Sequence, residues 1–256
     1  MEFKNKVVLI TGASSGIGKE LSFLLARQGC KLALLSRRIE VLQKILDIIQ
    51  LSKETVRLYK CDVANEAETE KVYQQIKNDF GKVDIAILNA GASHRSDMNK
   101  FNINHAKEIF DVNVFGVLNF VKLITPDFIS SRSGCIVGVS SMADVRGFAR
   151  SGFYCGSKAA VTTILESLRI ELKPYNIKVI TVRPGFVKTP MTDKNEFQMP
   201  FLIKPEKAAQ IILDGIKKEK AIIQFPLPMY FASELIRFLP NSLFEFLSSK
   251  FPRKQQ

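Results

Sequence analysis

The sequence predicts an α/β fold: a single Rossmann-like, doubly wound parallel sheet with helices on both faces and an apolar C-terminal helical extension. Three observations predict it. Short continuous apolar runs, such as 7–10 and 85–88, read as strands buried on both faces, as in a parallel sheet. Runs of helical periodicity alternate with them, which implies right-handed crossovers and a sheet covered on both sides. A glycine-rich turn stands between the first apolar run and the first helical one.

Element by element, the first strand at 7–10 is closed by Thr11 and Gly12, and helical spacing over 16–28 stops at Gly29. A second strand at 31–35 precedes a helix over 39–51; strands follow at 56–59, 85–88, 136–139 and 179–182. Helices are expected between them at 66–80, 104–130 and 155–173, then at 205–218, before an edge strand at 221–225. Pro226 and Pro228 break the chain, and Pro240 separates two short apolar helices.

The 256 residues suit one domain, and a hydrophobic fraction of 46% with 24% charged residues suits a sizeable core. The net charge of +12 is spread along the chain, and no nucleic-acid-binding module is recognisable, so anionic small molecules and anionic surfaces are the expected partners. Cys30, Cys61, Cys135 and Cys155 form no CxxC pair and no histidine stands at ligand spacing. Neither a metal site nor a disulfide framework is expected, and a reducing cytoplasm fits. The apolar run near the N-terminus is too short for a signal-peptide core, and no segment reaches the roughly 18 uninterrupted apolar residues of a membrane span.

In a doubly wound sheet, ligands bind beyond the carboxyl ends of the strands. After the first strand stands Thr11-Gly12-Ala13-Ser14-Ser15-Gly16-Ile17-Gly18, where glycines permit a tight turn and a pyrophosphate can approach the free N–H groups of a helix N-terminus. After the strand at 136–139 comes Ser141, and thirteen residues later Tyr154-Cys155-Gly156-Ser157-Lys158 places a tyrosine and a lysine on one helical face. These motifs together resemble the short-chain dehydrogenase/reductase family, over nearly the whole chain to about Thr189.

The resemblance implies a nicotinamide-dependent oxidoreductase that interconverts carbonyl and alcohol. It divides the single domain into a mainly cofactor-binding half at 1–130, a catalytic half at 131–225 and the apolar extension at 226–256. It implies that Asp62, beside Val63, holds the adenine and that Asn89-Ala90-Gly91 lies beside the cofactor. Tyr154 is the implied proton donor in reduction and base in oxidation; Lys158 lowers its pKa and holds the nicotinamide ribose, and Ser141 bonds the substrate oxygen. Asn113 matches an asparagine that anchors a water in a proton relay, its alternative being a helix-bending role. Pro184-Gly185-Phe186-Val187-Lys188-Thr189 matches a motif whose Val187 and Thr189 contact the carboxamide.

At the end of the second strand, where a carboxylate would bond the ribose hydroxyls of NAD, stand Ser36-Arg37-Arg38. Guanidinium groups bind a 2′-phosphate with charge-assisted hydrogen bonds, so NADP(H) is expected over NAD(H). Ser15 departs from the second basic residue of many NADP(H)-preferring relatives, which leaves dual specificity open. A non-catalytic nucleotide sensor is the rival reading, and intact Asn113, Ser141, Tyr154 and Lys158 weigh against it. His94 and His105 are expected to make local contacts.

Segment 192–204 falls where the family has a mobile lid over the substrate. For Met229 to Phe251 three readings stand: helices that complete the core and rim an apolar substrate pocket, a membrane-surface attachment with the basic tail Lys250, Arg253 and Lys254, or a subunit contact. An apolar or lipid-like ketone or aldehyde is the expected substrate. The resemblance also implies a homodimer or homotetramer built on the helices at 104–130 and 155–173.

Overall fold

The computed structural model describes residues 1–49, 54–195 and 197–249. Seven strands form one parallel sheet in the order β3-β2-β1-β4-β5-β6-β7. They are β1 (Val7–Thr11), β2 (Lys31–Ser36), β3 (Val56–Lys60), β4 (Ile85–Leu88), β5 (Gly134–Val139), β6 (Ile177–Pro184) and β7 (Ile222–Phe225). Every strand of the expected set is present, and the 221–225 run is an edge strand, paired to β6 alone.

Strand side chains alternate between two cores, as the pleat requires. Val8, Ile10, Leu32, Leu34, Ile85, Ile87, Val137 and Val182 face helices α1 (Gly16–Arg27), α2 (Ile39–Ile49) and α7 (Pro205–Lys217). Leu9, Ala33, Leu35, Ala86, Leu88, Ile136 and Val179 face α3 (Glu66–Phe80), α4 (Ile103–Phe110), α5 (Gly116–Ser131) and α6 (Gly152–Leu172). The expected end of α2 at residue 51 lies outside the described residues. Order reverses between β1 and β4: the chain winds outward through β2 and β3, then returns to build the other half. That reversal opens the crevice.

The expected single helix over 104–130 is instead α4 and α5 joined by one π turn, Asp111–Phe115. A π turn inserts one residue into the helical ladder and re-aims its side chains, and Asn113, fully buried within it, is the residue re-aimed. Residues 103–131 together are apolar and long enough to cross a membrane, but half of their most apolar window is buried inside the molecule.

The C-terminal helices α8 (Leu227–Phe238) and α9 (Asn241–Ser249) do not complete the core as one reading expected. Ser233 is the buried residue of α8 and α9 buries none of its described residues, while Leu227, Phe231, Leu235 and Phe238 are 64–79% exposed. Periodicity marks an apolar face and does not say what covers it. Phe251 and the basic tail Lys250, Arg253 and Lys254 lie outside the described residues.

Helix α6 is seated by Leu165, fully buried, whose methyl groups occupy the space that a Cβ on Gly138 of β5 would need, 2.3 Å away. Leu165→Ala leaves a cavity at the one helix that carries both Tyr154 and Lys158. Its unfolding free energy in urea should fall by about 2–5 kcal/mol. A fall below about 1 kcal/mol would mean that α6 is held elsewhere.

Candidate active site

The crevice begins with the glycine turn. Gly12 and Gly16 adopt positive φ of 66° and 54°, and a Cβ on Gly12 would lie 2.9 Å from the Ala90 backbone. On Gly18 it would lie 2.5 Å from the Gly12 carbonyl oxygen and 2.6 Å from Asn89 Nδ2. No larger residue fits. Asn89 locks this turn to β4: its Nδ2 donates to the carbonyls of Thr11 and Gly12 at 3.0 and 3.3 Å. The backbone N–H groups of Asn89 and Ala90 both donate to Thr11 Oγ1, at 2.9 and 3.0 Å. Thr189 closes the turn from the other side, its Cγ2 lying 2.8 Å from where a Gly16 Cβ would stand.

Beside the turn, the two arginines separate. Arg38 reaches back over the glycine loop, donating from Nη2 to Ser14 Oγ at 3.0 Å and Ser15 Oγ at 3.4 Å, while its backbone N–H donates to Ser36 Oγ at 3.0 Å. Arg37 faces Asp62 at 3.9 Å, and Asp62 Oδ1 accepts from Ala64 N at 3.1 Å. Of the two adjacent arginines, Arg38 makes the contacts with the loop.

The second half of the site gathers at the ends of β4 and β5. A Cβ on Gly91 would stand 3.4 Å from Asn113 Oδ1, 3.6 Å from Met191 Cε and 3.7 Å from Lys158 Nζ, so all three surround that glycine. Asn113 Oδ1 accepts from Ala92 N at 2.7 Å, and its Nδ2 donates to the Ala92 carbonyl at 3.0 Å and to Ser157 Oγ at 2.9 Å. Asn113 thus fits the helix-bending alternative, lying in the π turn, with its carboxamide held beside Gly91.

Ser141 follows β5 in extended conformation, and its hydroxyl accepts from Ala143 N at 3.1 Å and hydrogen-bonds to the Tyr154 hydroxyl. Lys158, 4% exposed, donates from Nζ to the Val139 carbonyl at 2.9 Å and lies 5.8 Å from the centre of the Tyr154 ring. Burial pushes the Lys158 ammonium down to about 8, since an ion is disfavoured away from water. Tyr154 is shifted in the other direction. Burial holds its pKa above the ordinary tyrosine value; the hydrogen bond from Ser141 works downward, and the charges of Cys155 and Asp144 work upward.

Further side chains support these residues. Ser157 holds Asn113, and Ser140 Oγ donates to the Lys158 carbonyl at 2.9 Å and meets Thr162 Oγ1 at 2.6 Å. Ser140, Ser157 and Arg183 each adjoin a motif residue, and adjacency to the motifs was the available signal. Val187 is buried and bridges to Ile203. Gly185 meets Pro226 and Met229, with 2.4 Å from its Cβ position to the Met229 sulfur. His94 Nε2 hydrogen-bonds Glu108 at 2.8 Å and its ring stacks on His105 at 4.8 Å, the local role expected. A wide depression of about 700 Å³ between the C-terminal halves of α5 and α6 is lined by none of the four residues Asn113, Ser141, Tyr154 and Lys158. Chemistry follows those side chains and places the site at the crevice.

A glycine turn at the switch point of a doubly wound sheet, beside a buried lysine and a serine-bonded tyrosine, defines a dinucleotide-dependent oxidoreductase site. The short chain dehydrogenase family model matches residues 6–199. An uncharacterized oxidoreductase of Myxococcus xanthus is 33% identical over 244 residues, covering 95% of this chain and 96% of that protein. One of Listeria monocytogenes is 34% identical over 234 residues, covering 87% and 94%. The chain belongs to the short-chain dehydrogenase/reductase family and is an oxidoreductase. Solved structures share its fold: a short-chain dehydrogenase/reductase from Burkholderia phymatum in complex with NAD, at TM-score 0.85 and 23% identity, covers 100% of this chain and 99% of that one. A short-chain dehydrogenase from Sphingobium yanoikuyae in complex with NADPH, at TM-score 0.80 and 23% identity, covers 98% of each.

The depressed Lys158 has a stability consequence. Its folded pKa of about 8 lies below the reference value of 10.5, so between these the unfolded chain holds a proton the folded chain has released. Stability therefore rises with pH across that window. Lys158→Met removes the buried charge: at pH 7 the variant should be more stable by up to about 3 kcal/mol, less the lost bond to Val139, with the gap closing towards pH 10. Urea titrations at both pH values check this, and a pH-independent difference would refute it.

Proposed function

We propose that this oxidoreductase uses NADP(H) in preference to NAD(H) and reduces apolar ketones or aldehydes, with Tyr154 giving the proton. The carrying observation is the single cluster in which Ser141 bonds Tyr154, Lys158 lies beneath the tyrosine ring, and Asn113 borders the same glycine as Lys158. A nicotinamide dinucleotide supplies or accepts the hydride in such a site.

Gly12, Ser14, Ser15, Gly16, Ile17 and Gly18 form a cradle that fits a pyrophosphate at the N-terminus of α1, since Cβ atoms there would collide with Ala90, Gly12 and Thr189. Asp62 and Val63 would hold the adenine, and Asn89, Ala90 and Gly91 would line the crevice wall. Pro184, Gly185, Val187 and Thr189 would fix the nicotinamide. Ser141 orients the substrate oxygen towards Tyr154, and Lys158 holds the ribose and balances negative charge on the tyrosine. Burial disfavours the Tyr154 phenolate, and the phenol is the form that gives a proton in reduction.

The preference for NADP(H) rests on Ser36, Arg37 and Arg38, with no carboxylate at the end of β2, and on the Arg38 guanidinium standing over Ser14 and Ser15. An anion there meets a guanidinium and three serine hydroxyls. The structural neighbours named above carry NAD in one case and NADPH in the other, so the choice is argued from these side chains. Apolar character in the substrate is supported by Phe153, next to Tyr154 and edge-on to Phe101 at 5.8 Å, and by Met191 at Gly91. Intact proton-handling residues weigh against a non-catalytic sensor.

Oxidation of NADPH should be seen with aldehydes and ketones, rising with apolar chain length. Tyr154→Phe should lower kcat by about 10²–10⁴ while NADPH affinity changes less than about threefold. Near-normal turnover in that variant would sink the mechanism. Arg38→Ala should raise the KM for NADPH about ten- to hundredfold and leave that for NADH unchanged. Equal effects on both cofactors would overturn the assignment of the 2′-phosphate site.

A further inference from the structure

The exposed helices α8 and α9 are tied to the rest of the molecule in an unusual place. With Ser233 the buried residue of α8 and none buried in α9, hydrophobic burial anchors them weakly. Their polar ties converge on the five residues that follow Ser141. Arg146 donates from Nε to the Ile236 carbonyl at 3.3 Å, from Nη2 to the Leu239 carbonyl, and from Nη1 to Asn241 Oδ1 at 2.7 Å. Its guanidinium carbon also lies 5.1 Å from the centre of the Phe244 ring. One side chain therefore caps the carbonyl end of α8, where a cation is favoured, and holds the first turn of α9.

A second tie is buried. Arg183 Nη2 and Nε donate to the two carboxylate oxygens of Asp144 at 2.7 and 2.9 Å, and Nη1 faces Glu234 of α8 at 3.5 Å. From Asp144 the path continues inward: Thr162 Oγ1 lies 2.6 Å from both Asp144 Oδ2 and Ser140 Oγ, and Ser140 Oγ lies 2.9 Å from the Lys158 carbonyl, the two hydroxyl protons serving two of these three contacts at a time. The turn between Ser141 and Arg146 thus lies between the extension on one side and the lysine helix on the other.

We infer that α8 and α9 act as a clamp that positions Ser141, with Arg146 as its latch. Arg146 is a positioning residue: its ties run to the extension and it acts through the serine turn. The inference rests on the reading of Ser141 and Lys158 as parts of a reductase. It adds that the extension does more than wall the substrate pocket, because seating it fixes where the serine hydroxyl stands. Apolar cover over Leu227, Phe231, Leu235 and Phe238 would then be transmitted to the turn.

The test uses the full chain with Arg146→Met and Arg146→Lys. Arg146→Met should bind NADPH within twofold of the parent but lose at least tenfold in kcat with a small water-soluble aldehyde as well as with a long-chain one. Arg146→Lys, or millimolar guanidinium added to Arg146→Met, should restore part of that kcat. If the extension only walls the pocket, kcat for the small aldehyde stays unchanged and KM rises for the long-chain one alone, which overturns the clamp. Hydrogen exchange gives a readout without turnover. The amides of Ala143 and Asp144, bonded to Ser141 Oγ and Ser141 O, should exchange faster in Arg146→Met, with the amides of β1 unchanged. Unchanged exchange at Ala143 and Asp144 overturns the latch even where activity falls. Absence of turnover in the parent chain, with faster exchange in the variant, would instead sink the reductase reading and leave the latch standing. Should Arg146→Met fail to fold, Glu234→Gln loosens the outer end of the buried tie. It should lower kcat severalfold at constant NADPH affinity, and an unchanged kcat overturns the clamp.

Discussion

The site depends on the lock between the ends of β1 and β4. A parallel sheet buried on both faces commits its side chains to packing, and its free backbone groups appear where strands end. At the switch point two adjacent N–H groups, of Asn89 and Ala90, share the Thr11 hydroxyl, while the Asn89 amide takes the carbonyls of Thr11 and Gly12. Four hydrogen bonds hold the crevice open at a fixed width. They also leave no room for a side chain at Gly12 or Gly18, which keeps the N-terminus of α1 free to meet an anion.

From that lock the geometry passes to the second half of the candidate site without a break. Just beyond Asn89 and Ala90 in the chain, Ala92 offers its N–H and carbonyl to Asn113, and Asn113 passes the contact to Ser157 at the base of the Tyr154 to Lys158 turn. A regular helix through 104–130 would not need a π turn, and an asparagine there would compete with its backbone. The π turn resolves the conflict by giving the carboxamide a full set of partners inside the core. Its local cost in helix geometry is offset by joining the two halves of the crevice.

What was legible in the sequence follows from this division of labour. Strands and the glycine turn were legible because burial on both faces leaves continuous apolar runs, and turn chemistry leaves glycines at fixed spacing. Ser141, Tyr154 and Lys158 were legible because their spacing is joint. The π turn was not, since periodicity of apolar residues survives the insertion of one position. Nor could Arg37 be told from Arg38: adjacent side chains on the turn after β2 diverge, and their directions depend on Asp62 and Ser14, distant in sequence. The Arg183 to Asp144 pair was hidden for the same reason, being 39 residues apart. For α8 and α9 the apolar faces were visible, but the exposure of those faces is a property of the packed molecule.

The proton chemistry brings the last step. Burial acts on Tyr154 and Lys158 in opposite senses, raising the phenol and lowering the ammonium, because in each case it disfavours the ion. A tyrosine that must take a proton needs the reverse shift. In this fold burial disfavours the Tyr154 phenolate, and the nearby carboxylate of Asp144 works in the same direction even though Arg183 grips it with two hydrogen bonds. In the proposed reduction the phenol would give up its proton as charge develops on the substrate oxygen, and burial favours that starting form. Oxidation would work against that bias and would call for positive charge beside the ring, which Lys158 can lend while it is protonated, below about 8. Both shifts come from the exclusion of water, so the residues that seat the walls of the crevice bear on the charge state of this pair as well as on its position.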